Sequence, residues 1–446
     1  MRISRILRRS LTWLLIYIAL SSCSVAAQQT MAGADVGWAR RSTLTGDWDG
    51  ARDGLENKGI ALRAHFLTES AANLIGGESQ NARYTQQVDF GADLDLSRLA
   101  GACGGTVQIT FVDRVGRSLS ADAIGNQFAV QELYGAGQNF RLAELNFQQN
   151  LFTDKLTFEL GWSPVGDHFA ALPVLFDFQN AVICGHLNAM TIDSGAQNFP
   201  TGQWGAHITV SPMQLFYFSA GVFQVNPNAG DSDKGLDLSF GGTGAFIPIE
   251  LGLRPGHAAG ELPGIYAIGA YYNSSKTADV LQDKNGNSAG LTGLPFALRN
   301  GRSGVYAMAD QWIHRTDTQA SEPHRGLRIG AMAGIGDRAT STFRYFFAGG
   351  GVYQGTFKHR DEDFASLLIA YAGFNDRLAR FQEDRNAVAP STVGIQHYES
   401  ILELDYNVQT APWLSLRPNL QYVLNPGGTG KIPDAFVVGL YTNVTF

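Results

Sequence analysis

Charged side chains recur at alternate positions of apolar segments: the arginines Arg114, Arg328, Arg344 and Arg417, and the carboxylates Asp89, Asp93, Glu144, Glu159, Glu399 and Glu403. Two chemistries could use them. A pair such as Glu144 and Glu159 suffices in principle for glycoside cleavage, with one acid protonating the leaving oxygen and the other activating water or attacking. Alternatively, guanidinium forks and carboxylates hydrogen-bond sugar hydroxyls without any reaction, beside rings such as Trp204 that offer a flat apolar surface to a sugar face. The plain alternative for any one of these residues is an ion pair across a solvated wall.

Enzyme signatures are missing. The nine histidines form no HExxH, and the chain contains neither a GxSxG elbow nor a GxxxxGK[ST] phosphate loop. The segments Asp231-Ser232-Asp233-Lys234-Gly235 and Asp283-Lys284-Asn285-Gly286-Asn287 resemble calcium loops but lack the distal glutamate of an EF-hand, so they read as polar loop tips. The chain is therefore read as non-enzymatic, with no metal and no cofactor.

What must position the charges is a set of strands. Val88, Phe90, Ala92, Leu94 and Leu96 alternate with Gln87, Asp89, Gly91, Asp93 and Asp95, and Leu156, Phe158, Leu160 and Trp162 alternate with Thr157, Glu159 and Gly161. Leu327, Ile329, Ala331, Ala333 and Ile335 flank Arg328, while Leu414, Leu416, Leu420 and Tyr422 flank Ser415, Arg417, Asn419 and Gln421. Side chains on a strand point alternately to its two faces, so each segment has one apolar and one polar face. About sixteen such strands can be counted, and the connections between them alternate long and short. No stretch after residue 27 approaches the roughly 20 apolar residues of a membrane helix.

That alternation predicts an all-β fold: a transmembrane antiparallel β-barrel of about sixteen strands, with long external loops, short periplasmic turns and a short N-terminal helix. Lipid offers no hydrogen bonds to an open sheet edge, so a membrane sheet must close on itself. With about sixteen strands the lumen is too wide for side chains to fill, and it holds water. The final strand carries Phe436, Val438, Leu440, Thr442, Val444 and Phe446 on one face, and an aromatic end is expected in the interfacial girdle.

Composition agrees with that reading. Of 446 residues only 16% are charged, against about 25% in typical soluble domains. The net charge of −7 and the absence of a basic block argue against nucleic acid as a partner. Arg2, Arg5, Arg8 and Arg9 precede an apolar run over 11–20 and small residues up to Ala27, which reads as a secretory signal over 1–27. Cys23, in Leu20-Ser21-Ser22-Cys23, offers a lipid-attachment alternative. Cys103 and Cys184 read as separate thiols, with pairing in an oxidising compartment as the other reading.

Residues 28–59 are expected to form a periplasmic segment, with a helix over 47–58 capped by Asp47 and stopped at Gly59, packing on the barrel end. Residues 60–446 form the barrel. The connection over about 164–203 carries Phe169, Phe176, Phe178 and Phe199, ends at Trp204, and is stiffened by Pro164, Pro173 and Pro200. So apolar a loop is expected to fold inward and narrow the pore, the alternatives being a cap over the barrel mouth or a patch for a neighbouring subunit. Both signs of charge on the polar face favour a neutral hydroxylated solute over an ion, with a general or small-organic-acid diffusion pore, or a structural or secretion barrel, as the other readings.

The segment Leu44-Thr45-Gly46-Asp47-Trp48-Asp49-Gly50-Ala51-Arg52, with Leu55 and Lys58-Gly59-Ile60, resembles the N-terminal signature of the carbohydrate-selective outer-membrane porins, the OprB family. The resemblance continues through Gln203-Trp204-Gly205-Ala206-His207, Phe343-Arg344-Tyr345-Phe346-Phe347, Arg360-Asp361-Glu362-Asp363, Glu403-Leu404-Asp405-Tyr406, Pro412-Trp413-Leu414 and Asn425-Pro426-Gly427-Gly428. It implies a sixteen-stranded barrel in the outer membrane of a Gram-negative bacterium that admits glucose and other small sugars passively. Small sugars and membrane lipid are then the partners, and such barrels can assemble as homotrimers. The family places arginines and acids at the narrowing, which gives Arg344 and Glu403, inside matching motifs, the most weight.

Overall fold

The computed structural model describes residues 37–183, 185–186, 188–256, 260–316 and 325–446; the signal segment, Cys23 and Cys184 lie outside them. Sixteen antiparallel strands close into one barrel in which every strand pairs with its neighbours in sequence. They are β1 (Ile60–Ile75), β2 (Asn81–Asp95), β3 (Gly105–Gly116), β4 (Phe140–Leu151), β5 (Leu156–Ser163), β6 (Gln203–Met213), β7 (Phe216–Val225) and β8 (Gly244–Leu253). Then follow β9 (Gly264–Asp283), β10 (Phe296–Arg315), β11 (Gly326–Ile335), β12 (Phe343–Gln354), β13 (Phe364–Phe374), β14 (Tyr398–Ala411), β15 (Leu414–Leu424) and β16 (Ala435–Thr445). Closure is made by β1 against β16, in register from His65 opposite Thr445 to Ala72 opposite Val438. No sheet edge is left unpaired, as a bilayer demands.

The two faces of the wall are inverted relative to a soluble protein. Leu160, Ile208, Val222, Ile249, Leu251, Ile268, Ile329, Phe347, Ile369, Leu404 and Leu420 are all exposed on the outside. Their strand neighbours facing inward, such as Glu159, Ser219, Glu250, Glu403, Asn419 and Gln421, are buried. An apolar outer band around a polar interior is the arrangement that dissolves in lipid. No helix among the described residues is long and apolar enough to cross a membrane.

The sequence reading placed all sixteen strands but began β8 near 238 and shortened two hairpins, β1–β2 and, by more, β9–β10. β9 and β10 run on through Asn273, Ser274, Ser275, Lys276 and Thr277 and back through Asn300, Arg299 and Leu298, well past the apolar stretch. Apart from Leu298 those residues are polar, so alternation could not mark them; backbone pairing holds them as strands, helped by side-chain bonds such as Arg299 to Asp279. At the hairpin tip the Asp283 carboxylate accepts from the amides of Asn285 and Asn287 and from the Thr292 hydroxyl, which is turn chemistry.

The helix near the start is shorter than 47–58, spanning Ala51–Asn57, with Gly50 at its N-cap. Asp47 still serves it by accepting from the Asp53 amide at 2.8 Å. Arg52 donates to the backbone carbonyls of Phe446 (2.7 Å) and Leu62 (3.1 Å), which fixes the helix to the rim where β16 ends and β1 begins.

Candidate functional site

Two connections do not stay outside. Loop A (117–139) and loop B (164–202) enter the barrel, where their backbone N–H groups have no sheet partner. A buried N–H without an acceptor costs about 1–3 kcal/mol, so acceptors must be supplied from the wall. Inward-pointing carboxylates do this. Glu403 on β14 accepts from the amides of Gln179 (2.6 Å) and Asn180 (3.0 Å), and Glu250 on β8 from Ala170 (2.9 Å). Asp310 on β10 accepts from Val174 at 3.4 Å. For loop A, Glu399 on β14 accepts from Gln127 and Phe128, and Glu69 on β1 from Leu133. One pair reverses direction: Asp193 of loop B accepts from the amides of Thr342 and Phe343 at the start of β12. The loops also bond each other, through Ala181 N–H to Ala129 O and Glu132 N–H to Gln179 O.

Apolar packing completes the anchorage. Phe169, Leu172, Val174, Leu175, Phe178, Val182 and Ile183 are fully buried and share one cluster with Phe223, Tyr306, Met332, Phe346 and Leu368 of the wall. Glycines in β11 and β12 permit the contact: a Cβ at Gly330 would lie 2.3 Å from the Val174 side chain, and one at Gly350 would lie 3.1 Å from the Phe178 ring. Loop B therefore lies mainly against β7 to β15, meets β5 and β6 at His168, and leaves the wall around Arg63, His65 and Asp93 of β1 and β2 partly open.

On the open side, charges pair along the wall. Arg63 bonds Asp93 at 2.8 Å and Thr110 at 3.3 Å, and Thr110 donates to Glu144 at 2.5 Å. His65 meets Asp89 at 2.7 Å, Gln87 donates to Asp89 at 3.0 Å, and Arg114 donates to Gln87 at 2.8 Å. The side chains of Arg63, His65 and Asp93 remain about one-third exposed inside the barrel.

Between loop B and the wall lies a cavity of about 360 Å³ bounded by Asp167, His168, Pro173 and Phe176 of the loop and by Thr209, Tyr217, Glu250 and Arg254 of β6 to β8 and the turn after it. Phe176 shows 51% of its surface to this water. The Arg254 guanidinium lies 4.3 Å from the centre of the Tyr217 ring, whose hydroxyl donates to Glu250 at 2.7 Å. Asp167 is open to the lumen, so the protein around it raises its carboxyl only partly, with the nearby acids Glu144 and Glu159 adding to the shift and His168 opposing it. Burial likewise raises Asp177 to about 6 against the pull of Arg417 and Arg328.

The residues singled out from sequence fall into three places. Asp89, Asp93, Arg114 and Glu144 come together on β2 to β4 in the open wall, and Glu159 faces inward on β5 beside His168 at 3.1 Å. Glu399, Glu403, Arg328 and Arg417 lie under the loops. Arg328 forms a two-point pair with Asp310, both contacts at 2.6 Å, and Arg417 sits 4.4 Å from the Tyr441 ring and donates to the Phe178 carbonyl. Glu403 is wholly buried and occupied by loop amides, so it is an anchor and does not meet solute.

Two residues leave the lumen. Trp204 shares the outer face with the exposed Ile208, packs on Trp162 and Phe240, and donates to the Leu238 carbonyl. Arg344 stands at a register shift between Phe343 and Tyr345 that turns it off the regular alternation; it donates to the Gly336 carbonyl and lies 5.3 Å from the outward ring of Tyr345. Sequence reasoning missed Glu69, Glu250, Asp310 and Asp193, and missed loop A altogether. Its signal was present in Leu119, Ile124, Phe128, Val130 and Leu133, a run too apolar for a loop in water.

A closed barrel that is apolar outside, hydrated inside and narrowed by its own loops is a porin: a passive channel and not an enzyme. Comparison with known proteins agrees. Residues 79–446 match the family model described as carbohydrate-selective porin, OprB family. Porin B of Pseudomonas aeruginosa is 34% identical over 418 residues, covering 90% of this chain and 91% of that protein. A putative porin of Acinetobacter baylyi, QuiX, is 28% identical over 450 residues, covering 96% and 99%. The high-pH structure of Pseudomonas putida OprB superposes with a TM-score of 0.87 at 32% identity, over 92% of this chain and 99% of that one. The chain belongs to the carbohydrate-selective OprB porin family and is a sugar porin of the Gram-negative outer membrane.

Proposed function

We propose that the solute is a single small sugar such as glucose, passing between loop B and the facing barrel wall. The cavity beneath loop B carries this reading. At about 360 Å³ it lies at the small end of the ~300–1,000 Å³ range of ligand pockets, which suits one ring and not a chain of them. Phe176 supplies an apolar face, while Arg254, Asp167 and Thr209 supply hydrogen-bonding groups of both polarities. Transport requires weak binding: a millimolar constant, about −4 kcal/mol, concentrates solute yet releases it quickly.

The strand count returns the chain to the rim from which it started, and that rim is assigned to the periplasm, with residues 28–59 lying there after removal of 1–27. The apolar outer band is the lipid contact. Association into homotrimers is read from the mass of the detergent-solubilised particle. The channel test is a sugar titration of single-channel current in planar bilayers. Glucose blocks at millimolar concentration, a disaccharide of glucose blocks more weakly, and Phe176→Ala loses about tenfold in glucose affinity, as expected for about 1.4 kcal/mol of stacking. Equal block by both sugars, unchanged in the variant, overturns the assignment.

A further inference from the structure

Glu159 on β5 and His207 on β6 stand directly opposite each other in register, both inside the barrel. The first turn of loop B then returns His168 above them. One ligand atom from each of the three lies within 4.8 Å of the others, and the His168 and His207 rings are 4.1 Å apart at their centres.

The three donors are under-used. Glu159 is 2% exposed and forms an ion pair with His168, its Oε1 3.1 Å from Nε2, although the two are not aligned for a hydrogen bond. Nδ1 of His207 is likewise buried without a hydrogen-bond partner. A buried polar atom without a partner is costly, and the His207 nitrogen converging on the loosely aligned Glu159–His168 ion pair leaves a point that a common occupant would satisfy. Glu144 and Asp167 are close enough to act electrostatically on His168, so negative charge surrounds the point.

We propose that Glu159, His168 and His207 form a binding site for a borderline divalent transition metal such as zinc, facing the lumen. Two imidazoles and a carboxylate are the donor set such ions select over calcium or magnesium, which prefer oxygen alone. Tetrahedral ligands at about 2.0–2.2 Å from zinc stand about 3.3 Å apart. Glu159 and His168 are already at that separation, and rotation of His207 brings the third donor in. The fourth position opens on the sugar cavity, which His168 also lines. A bound ion would staple the first turn of loop B to the β5–β6 pair and place two positive charges in the passage. The site was invisible to motif search because His207 is separated from Glu159 and His168 by most of loop B and meets them through the β5–β6 register and the loop's first turn.

The test is zinc chloride added to purified channels in planar bilayers and, separately, isothermal titration of the folded protein in detergent. Micromolar zinc is expected to lower single-channel conductance, with recovery on addition of EDTA, and to bind with a stoichiometry of one. His207→Gln should keep the metal-free conductance and lose both the zinc response and the heat of binding, and His168→Gln should lose zinc binding as well. His65→Gln, altering the other lumenal histidine–carboxylate pair, should leave the zinc response intact. No zinc effect below millimolar concentration, or a response that survives His207→Gln, or one that vanishes with His65→Gln, overturns the proposal. Because zinc binding is read without sugar, it stands or falls apart from the choice of solute.

Discussion

The two sides of the lumen use the same residue types for different work. Along β8 to β15, acids face loop B and are occupied by its backbone: Glu403 is completely buried and Asp310 nearly so, each accepting from an amide of the inserted chain. Along β1 and β2, away from loop B, acids pair with side chains, as Asp93 does with Arg63 and Asp89 with His65. A carboxylate on a barrel wall is therefore an anchor where a loop covers it and a solute-facing group where none does. Position relative to the loops, and not charge, decides which.

Removing an anchor should break the contrast most strongly. Glu403→Ala leaves the Gln179 and Asn180 amides buried without acceptors, a cost of about 2–6 kcal/mol to loop docking. The covered side is then expected to become open, with single-channel conductance rising severalfold and protease cutting within 164–202. Unchanged conductance and protection would show that apolar packing alone holds the loop.

A smaller effect concerns acidity. The Asp177 carboxyl is raised from its ordinary value to about 6 by burial, so the docked loop holds the proton more tightly than a free loop would. The sign follows: its contribution to docking is present in acid and is lost as pH rises through about 6, while negative charge appears in the lumen. Preference for cations over anions, measured as reversal potential in a salt gradient, should increase from about pH 5 to pH 7, and Asp177→Asn should flatten that rise. A slope identical in the variant would assign the titration elsewhere.

The smallest change is expected on the bare wall. Arg63→Ala removes a pair that is about one-third exposed on both sides, so thermal stability should fall by less than about 1 kcal/mol. Its consequence should be on ion selectivity, shifted toward cations as Asp93 loses its partner. A large loss of stability would mean that the open side is as structural as the covered one.

Much of this was legible before any coordinates. The alternation of Leu327, Ile329 and Ala331 about Arg328 fixed both the strand and its inward face, because strand periodicity leaves no third option. Arg344 obeyed the same alternation on paper and escaped it at a bulge, which one sequence does not announce. Trp204 reads as lumenal from its place at the end of loop B, yet strand parity with Ile208 puts it outside. Glu403 was rightly placed inward, but its partner is an amide 224 residues away.

The sequence by itself determined a closed, lipid-facing barrel with a hydrated interior, since local alternation and the need to pair every backbone group admit no other outcome in a membrane. Only the tertiary structure decided which part of that interior stays wet. The path of loops A and B depends on contacts between residues far apart in the chain, and hydrophobicity along a sequence says that a segment must be buried without saying against what.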